Sequence, residues 1–564
     1  MRALGLCGVQ IEKVPDSIEK LIHLTYLDFS NNGNIETLPN AISRLWKLQT
    51  LKVNGCENLK ELPRDFRFLV GLRHLENSNC RRLSHVPDGL GKMTCLQTLS
   101  LFVVRDNQAS TSAPISSGLD ELNSLNSLRG ELEISNLRCL EDVYSEPNAA
   151  NLRAKQYLDR LTLLWHANDP NFCSEDNNDG DEKLLEGLQP HQNLKFLSVN
   201  GYGGVRFSSW LSLLTNLVDL SIYGCQRCQQ LPRLSQLHSL EHLSLRRMKV
   251  LEYINEEVPT SSFFPSLKSI YIFGCRNLKG WWRSTSTTDH QQHPHHQSLP
   301  SFHRLSHLSI QLCDNLTSLP PFPYLEESLY LEQVSLKPLQ RTIAMNSSSS
   351  FLSSPLSKLK VMTLISVKDT EALPDDWMSN LSSLKQLGIR GGPKLKSLSL
   401  AVPHLTSLES LEIRDCELFD SISDDGIEWQ HLKCLSSLRY ESVPNLKSIP
   451  SGFQHVTALR ELEISDCRNL TIFPELTSVV YLKISWCPNL TSIPDGISNL
   501  TSLEELHINR CWNLKSLPDG MVSLKSLQKL SITSCPDLKK RCERGIGEDW
   551  FKIAHVPVIE IWHF

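Results

Sequence analysis

The sequence predicts an α/β solenoid in which a parallel β-sheet lines the concave face and irregular or short helical segments form the convex side. The chain has 564 residues, more than a single hydrophobic core usually organises. A motif, Leu-x-x-Leu-x-Leu-x-x-Cys/Asn, recurs along nearly all of it, mostly at steps of 24 residues. A fixed period of this length favours a repeat array over several unrelated globular domains.

The motif also predicts the strands of that sheet. Its Leu-x-Leu pair alternates at period two, so both leucines point inward and the residues between them face solvent. About twenty such strands are expected, which makes the fold a leucine-rich-repeat horseshoe. Clear copies begin at Leu24, Leu48, Leu72, Leu96, Leu384, Leu408, Leu435, Leu459, Val479, Leu503 and Leu527, and looser copies at Leu128, Leu158, Leu194, Leu217, Leu240, Leu267, Leu305 and Leu359.

Most of the cysteines follow the repeat. The last motif position buries a small side chain where the chain leaves the strand, which Asn achieves by bonding backbone groups and Cys by packing. We therefore interpret these cysteines as structural, without redox or metal chemistry. Ten of the 17 cysteines occupy this position, namely Cys56, Cys80, Cys225, Cys275, Cys313, Cys416, Cys467, Cys487, Cys511 and Cys535.

The segments that return from one strand to the next contain an apolar residue followed by proline, as in Leu38-Pro39 and Leu517-Pro518. Proline fixes φ and removes a backbone donor, which suits an irregular convex side. The stretch between the proline and the next strand is short, so it has room for only one or two helical turns.

Four polar stretches interrupt the period and are expected to loop out of the solenoid. They are residues 105–118, 168–182, 284–298 and 347–357. The second is acidic and has few apolar residues, so we expect it to be disordered, and the third is rich in histidine, so we interpret it as a low-complexity loop. Calcium binding by the second and capture of zinc or nickel by the third are the alternatives.

These breaks predict the organisation of the chain. We expect residues 1–104 to be regular N-terminal repeats, 105–215 an irregular region with two looped-out insertions, 216–346 irregular repeats with a His-rich insertion, 347–357 a Ser-rich linker, 358–540 regular C-terminal repeats and 541–564 a C-terminal cap.

Composition and missing motifs narrow the function. The 57 basic and 62 acidic side chains give a net charge of −5, which does not indicate a nucleic-acid partner. No apolar stretch long enough to span a membrane and no apolar leader is found, so a cytoplasmic location is expected. Gly89–Thr94 lacks the leading glycine of a phosphate-binding loop, and Cys225-x-x-Cys228 has no second pair. We therefore expect no enzyme activity, no cofactor and no metal.

Recognition by the solvent-facing sheet surface is the function that remains. Aromatic and arginine side chains at these positions are suited to anchoring a protein partner. The alternative is that single exposed aromatic side chains are ordinary on a sheet. The candidates are Tyr223, Arg246, Arg247, Tyr271, Phe273, Arg390, Tyr481, Trp486 and Arg510.

Three groups of segments carry a family resemblance. The first is Ile11–Leu27 with Leu83–Met93 and Leu101–Val104, the second is Leu128–Ile134, Asn151–Lys155, Leu161–Trp165, Leu188–His191, Gly201–Gly204 and Trp210, and the third is Arg541–Trp550 with Lys552–Pro557. In this order they resemble the repeat domain of plant coiled-coil-type nucleotide-binding leucine-rich-repeat disease-resistance proteins.

The resemblance implies that the coiled-coil and nucleotide-binding domains that precede the repeats in this family are missing, so we expect an N-terminally truncated chain. It further implies protein partners: a pathogen effector, a guarded host protein, or the nucleotide-binding domain whose switch the repeats restrain in a full receptor. A stand-alone repeat scaffold and a non-functional gene fragment are the alternatives. An extracellular receptor ectodomain or a ubiquitin-ligase adaptor would need a signal peptide or an F-box-like module, and neither is found.

Overall fold

The leucines of the motif form the core of the repeats that the structure describes. The computed structural model describes residues 1–105, 118–139, 148–165, 180–255, 263–283, 300–344, 355–367, 371, 373, 379–398, 402–420, 429–470, 476–493 and 495–562. The chain divides into two compact units, Met1–Pro300 and Ser301–Phe564.

The first unit is built from parallel strands. They are β1 (Ala3–Gly5), β2 (Tyr26–Asp28), β3 (Thr50–Lys52), β4 (His74–Glu76), β5 (Thr98–Leu99), β6 (Leu101–Val103), β7 (Arg129–Ser135), β8 (Tyr157–Leu164), β9 (Phe196–Asn200), β10 (Asp219–Tyr223), β11 (His242–Arg246), β12 (Tyr253–Asn255), β13 (Ser269–Phe273) and β14 (Gly280–Trp282). Strands β1 to β5 pair in chain order, as do β6 to β11, and β11 continues to β13. Strands β12 and β14 pair separately.

The second unit repeats the same arrangement. Its strands are β15 (His307–Gln311), β16 (Ser328–Glu332), β17 (Val361–Ile365), β18 (Gln386–Arg390), β19 (Ser410–Arg414), β20 (Ser437–Glu441), β21 (Glu461–Ser465), β22 (Tyr481–Ser485), β23 (Glu505–Asn509), β24 (Lys529–Thr533) and β25 (Val558–Trp562). Each is parallel to the next. Among the described strands, β25 pairs with β24 alone.

Helices are short, as the return segments predict. The α-helices are α1 (Gly180–Gly187), α2 (Lys337–Ala344), α3 (Pro536–Arg541) and α4 (Trp550–Ile553). Single turns of 3-10 helix span Asp16–Lys20, Asn40–Arg44, Phe66–Phe68, Leu90–Lys92, Leu119–Leu122, Leu137–Cys139, Leu152–Ala154, Ser209–Leu213, Leu234–Gln236, Val402–His404, Trp429–His431, Ser451–His455, Asp495–Asn499 and Asp519–Ser523.

Burial alternates along the strands as the motif predicts. In β10, Leu220 and Ile222 are buried, whereas Asp219, Ser221 and Tyr223 are partly exposed. Because the strands pair in register, equivalent leucines of neighbouring repeats stack behind the sheet. The fold is therefore the predicted leucine-rich-repeat solenoid.

The ten motif cysteines are all buried. The Sγ atom of Cys56 lies 3.3 Å from the Phe29 carbonyl oxygen, and that of Cys80 lies 3.2 Å from the Val53 carbonyl oxygen, each in the preceding repeat. Burial raises the pKa of the Cys80 thiol to about 12, which keeps it protonated and unreactive at neutral pH. The described geometry thus agrees with a structural role.

The structure differs from the sequence prediction at several elements. The acidic loop was expected to end at Glu182, but α1 begins at Gly180, and Asp181 is buried. The rest of that loop, the His-rich stretch and residues 106–117 and 347–354 lie outside the described residues. Strands β12, β14, β16 and β25 were not predicted. Strand β16 follows Leu325, whose repeat lacks the terminal Cys or Asn.

Candidate protein-recognition surface

Most of the five-residue strands present three side chains on the solvent-facing surface. In β10, β11 and β13 the first, third and fifth residues face solvent because the second and fourth are the buried motif leucines or isoleucines. Parallel pairing in register aligns these positions from strand to strand. Tyr223, Arg246 and Phe273 are therefore neighbours at the fifth position of β10, β11 and β13.

Five of the nine predicted residues form one group, here called the Arg246 cluster: Tyr223, Arg246, Arg247, Tyr271 and Phe273. The Arg246 guanidinium carbon lies 4.6 Å from the Tyr271 ring centroid, and that of Arg247 lies 5.6 Å from the Tyr223 ring centroid. The rings of Tyr271 and Phe273 are nearly parallel, with centroids 6.4 Å apart. The cluster is a patch of stacked π-systems and two cations.

The charges of the Arg246 cluster favour a particular kind of partner. Arg246 is exposed, and its Nε donates to Ser244 Oγ at 3.0 Å. Among the described residues, no carboxylate forms an ion pair with Arg246. A guanidinium stacked on a ring still has N–H groups at its edge that can bond to carboxylate oxygens. The cluster is thus suited to a partner segment with an acidic side chain beside an apolar one.

Three other predicted residues lie in the second unit and take part in two separate contacts. Trp486 and Arg510 meet Trp512 and are here called the Trp486 cluster, whereas Tyr481 meets His507. The Arg510 guanidinium carbon lies 4.4 Å from the Trp486 ring centroid, and the Trp512 ring packs edge-on at 5.6 Å. Tyr481 contacts His507, with ring centroids 5.2 Å apart. Trp486 and Trp512 remain 41% and 46% exposed, so the cluster presents a large apolar surface just beyond the ends of two adjacent strands.

Trp512 and His507 were missed by sequence reasoning. His507 occupies the third position of β23, in register with Lys483, so alignment of the repeats would not have placed its ring against that of Tyr481. Trp512 follows Cys511 and lies outside the Leu-x-Leu strand positions that were searched. Only its contact with Trp486 reveals it.

Arg390 lies apart from both groups, within a series of acid–base pairs. Its Nη2 is 2.7 Å from Glu412 Oε2, and Arg414 Nη2 is 3.3 Å from Glu441 Oε1. Arg439 also pairs with Glu463, whose other neighbour is Lys483 at 3.6 Å. This part of the surface satisfies its own charges, so a partner would have to break ion pairs to bind Arg390.

The described residues contain no group of three or more His, Cys, Asp or Glu side chains arranged to hold a metal ion. Cys228 is buried, and burial raises the pKa of its thiol to about 12. Within the same residues, no helix has the length and apolar character needed to cross a membrane.

Three stretches of the chain match models of known leucine-rich-repeat families. The model described as "R13L1/DRL21 LRRs" matches residues 119–248, "Plant disease resistance protein RPS2-like, leucine-rich repeats" matches residues 354–483, and the general "Leucine Rich Repeat" matches residues 23–45. The chain thus contains leucine-rich repeats, and those of residues 354–483 are similar to the repeats of a plant disease-resistance protein. The first of these matches includes three members of the Arg246 cluster, and the second includes Arg390 and Tyr481.

Comparison with whole proteins also finds plant disease-resistance proteins that are similar to part of this chain. Disease resistance protein RGA1 of Solanum bulbocastanum is 46% identical over 284 residues, which is 50% of this chain and 27% of the relative. A disease resistance RPP13-like protein 1 of Arabidopsis thaliana is 26% identical over 65% of this chain and 30% of its own length. The chain thus spans about a quarter to a third of these relatives.

A solved structure supports the fold of these repeats. The structure titled "Crystal structure of TLR13-ssRNA13 complex" aligns over all of this chain and 70% of that chain, with a TM-score of 0.50 and 19% sequence identity. At this identity the likeness concerns the solenoid fold alone.

Proposed function

We propose that this chain is a protein-recognition module in plant defence and that it acts in the cytoplasm without catalysing a reaction. Its partner is a pathogen effector or a host protein altered by one. In a full receptor the same repeats restrain a nucleotide switch in a neighbouring domain. The sequence similarity to disease-resistance proteins supports the role in defence.

The observation that carries this proposal is the convergence of five predicted residues in the Arg246 cluster. Tyrosine and arginine residues in contact dominate the binding energy of many protein interfaces. Here they stand on a rigid sheet, with backbone positions fixed by in-register strand pairing. Little conformational entropy is lost on binding to such a surface, which favours recognition over a purely structural role.

Regulation follows from coupled binding. An effector that binds the released form of a receptor better than the restrained form shifts the switch by that difference in affinity and by no more. The solenoid must therefore contact the effector and the switch domain through different surfaces.

The test begins with a search for effector and host partners by split-luciferase complementation in plant cells. For each partner found, affinity is then measured with purified protein and with the double variant Arg246→Ala/Tyr271→Ala. We expect affinity to fall by about thirtyfold or more, as at interface hot spots. The control is Val522→Ala, an exposed residue in a return segment of the second unit. Unchanged affinity of the double variant for every partner contradicts the proposal.

A further inference from the structure

Three neighbouring return segments of the first unit share an apolar residue at a position that is polar in nearly all other repeats. The position lies two residues before the first leucine of the motif, in the turn that leads into the strand. It holds Ile22, Trp46 and Val70 before β2, β3 and β4. In the sixteen later copies of the motif it holds one proline, Pro265, and otherwise a polar residue, most often threonine as at Thr94.

The three side chains are exposed and lie on adjacent repeats. Ile22, Trp46 and Val70 are 50%, 58% and 68% exposed, and Phe68 beside Val70 is 55% exposed. Strands β2 to β4 pair in register, so the turns before them lie side by side. A Cβ added to Gly71 would lie only 3.1 Å from Trp46 O. These four residues, here called the Trp46 row, form a continuous apolar patch, which marks an interaction site more often than single exposed residues do.

Basic side chains surround the Trp46 row. The equivalent turn segments, residues 18–23, 42–47, 66–71 and 90–95, contain five basic residues and one acidic residue, Glu19, which pairs with Arg44. Lys47 Nζ lies 4.6 Å from the Trp46 ring centroid, and the Arg67 guanidinium carbon lies 5.2 Å from the Phe68 ring centroid. The basic residues are Lys20, Arg44, Lys47, Arg67 and Lys92. The patch is therefore complementary to a surface that is both apolar and anionic.

We propose that the Trp46 row binds the surface of an anionic lipid bilayer. Tryptophan and other apolar side chains insert at the boundary between headgroups and acyl chains, while lysine and arginine pair with the headgroups. A bilayer also accepts protruding side chains without a complementary shape, whereas a protein partner would need one. The row lies in turns before the strands and the Arg246 cluster lies at the ends of strands, so attachment to lipid is separate from protein recognition.

The experiment is co-sedimentation of the full chain with vesicles of phosphatidylcholine, either alone or with about 30% phosphatidylserine. The wild-type chain is expected to bind the anionic vesicles at least tenfold more tightly, and salt should weaken this binding. The triple variant Ile22→Thr/Trp46→Thr/Val70→Thr introduces the residue that Thr94 supplies at the same position. It is expected to bind anionic vesicles at least tenfold more weakly. Lys20→Gln/Lys92→Gln should weaken this binding about tenfold, because two cations are lost.

Leu213→Thr is the matched control. Leu213 is 51% exposed and occupies the place of Phe68 in a later repeat, where the turn residue is Thr215. It is expected to leave vesicle binding unchanged, and circular dichroism shows whether each variant folds.

Insertion of Trp46 has a readout of its own. Vesicles with brominated acyl chains should quench the fluorescence of the wild type more than that of Trp46→Phe, because bromine quenches only a tryptophan that enters the bilayer. A wild-type chain that binds neither kind of vesicle overturns the proposal and leaves a protein partner for the row. Undiminished binding by the folded triple variant overturns it as well. If the triple variant does not fold, equal quenching of the wild type and Trp46→Phe overturns it.

Discussion

At the scale of single residues, the turn after each strand depends on the residue before the motif cysteine or asparagine. Gly55, Trp486 and Arg510 adopt left-handed φ values of 68°, 55° and 52° immediately before Cys56, Cys487 and Cys511. The sequence motif identifies the buried cysteine but not this neighbour, because the position accepts Gly, Asn, Asp, Ser, Leu, Trp or Arg without a common chemical property. Both members of the Trp486–Arg510 pair occupy such turn positions, so the backbone turn helps to present the cluster.

Gly55→Ala tests the cost of this turn. A Cβ at Gly55 would lie 2.6 Å from Asn31 Oδ1, and the φ of 68° is unfavourable for any L-residue. We expect a loss of about 1–2 kcal/mol in the free energy of unfolding, measured by urea denaturation. Gly5→Ala is the control, because a Cβ there meets nothing within 4 Å. Equal stability of the two variants would show that the turn carries no strain.

The buried Lys155 provides a second test at this scale. Its Nζ donates to Leu122 O at 2.7 Å, its side chain is fully buried, and this burial lowers its pKa to about 8. The unfolded chain holds this proton more tightly, with a pKa of about 10.4. Burying the charge therefore reduces stability below about pH 8, and this penalty disappears as the pH rises toward 10.4.

The stability of the wild type relative to Lys155→Met should accordingly increase by about 3 kcal/mol across this pH window. Urea denaturation of both proteins at several pH values between 7 and about 10.5 measures the difference. A difference that does not change with pH would mean that Lys155 titrates near its ordinary value.

At the scale of elements, the sequence predicted those strands whose leucines repeat at a fixed spacing, because that signal is local. Helix α1 was missed because its partners are distant in sequence. Its acidic side chains resemble a solvated loop, yet Asp181 Oδ2 accepts from Gly203 N at 3.1 Å. Trp210 Nε1 donates to Leu185 O at 2.8 Å from the following return segment. Similarly, the stacking in the Arg246 cluster depends on strand register, which the sequence indicates only after its repeats are aligned.

Glu182→Ala is expected to loosen the loop that packs on α1. Glu182 Oε1 accepts from the backbone N–H groups of Val205 and Arg206, each at 3.0 Å. Losing both bonds should cost about 1–3 kcal/mol and speed hydrogen exchange of these two amides by about ten- to a hundredfold. Glu182→Gln keeps an acceptor oxygen and should preserve most of the protection. If both variants exchange equally fast, the negative charge rather than the hydrogen bonding holds the loop.

At the scale of the whole molecule, the repeat predicts the fold because each repeat packs mainly on its neighbours. The packing of a terminal repeat cannot be predicted in this way, because such a repeat has only one neighbour. In the second unit, Asp549 joins α3, α4 and the last return segment: it accepts from Arg541 Nε and Leu517 N, both at 3.0 Å, and pairs with Lys552 Nζ at 3.1 Å. No local pattern indicates this buried network.

Asp549→Asn should destabilise the C-terminal repeats by about 3 kcal/mol, because it removes the buried counter-charge that Arg541 and Lys552 share and leaves them only the exposed carboxylates of Glu548 and Asp519. Limited proteolysis should then begin near the C-terminus while the first unit resists as in the wild type. Burial raises the pKa of Asp549, but hydrogen bonds from Arg541, Leu517 and Lys552 outweigh this effect and lower it below its ordinary value. The stabilisation is therefore present above about pH 4 and is lost as the pH falls further. Cleavage spread evenly over both units would contradict a local role.

The alternation of buried and exposed positions along each strand also has a consequence for how such a protein changes over generations. The stacked leucines are shared by all repeats, whereas side chains such as Arg246 and Tyr271 contact mainly their neighbours on the same surface. Mutations at exposed positions usually change stability little. A lineage can therefore exchange one binding specificity for another by point mutations on this surface, while selection for folding acts almost entirely on the other side of the same strands.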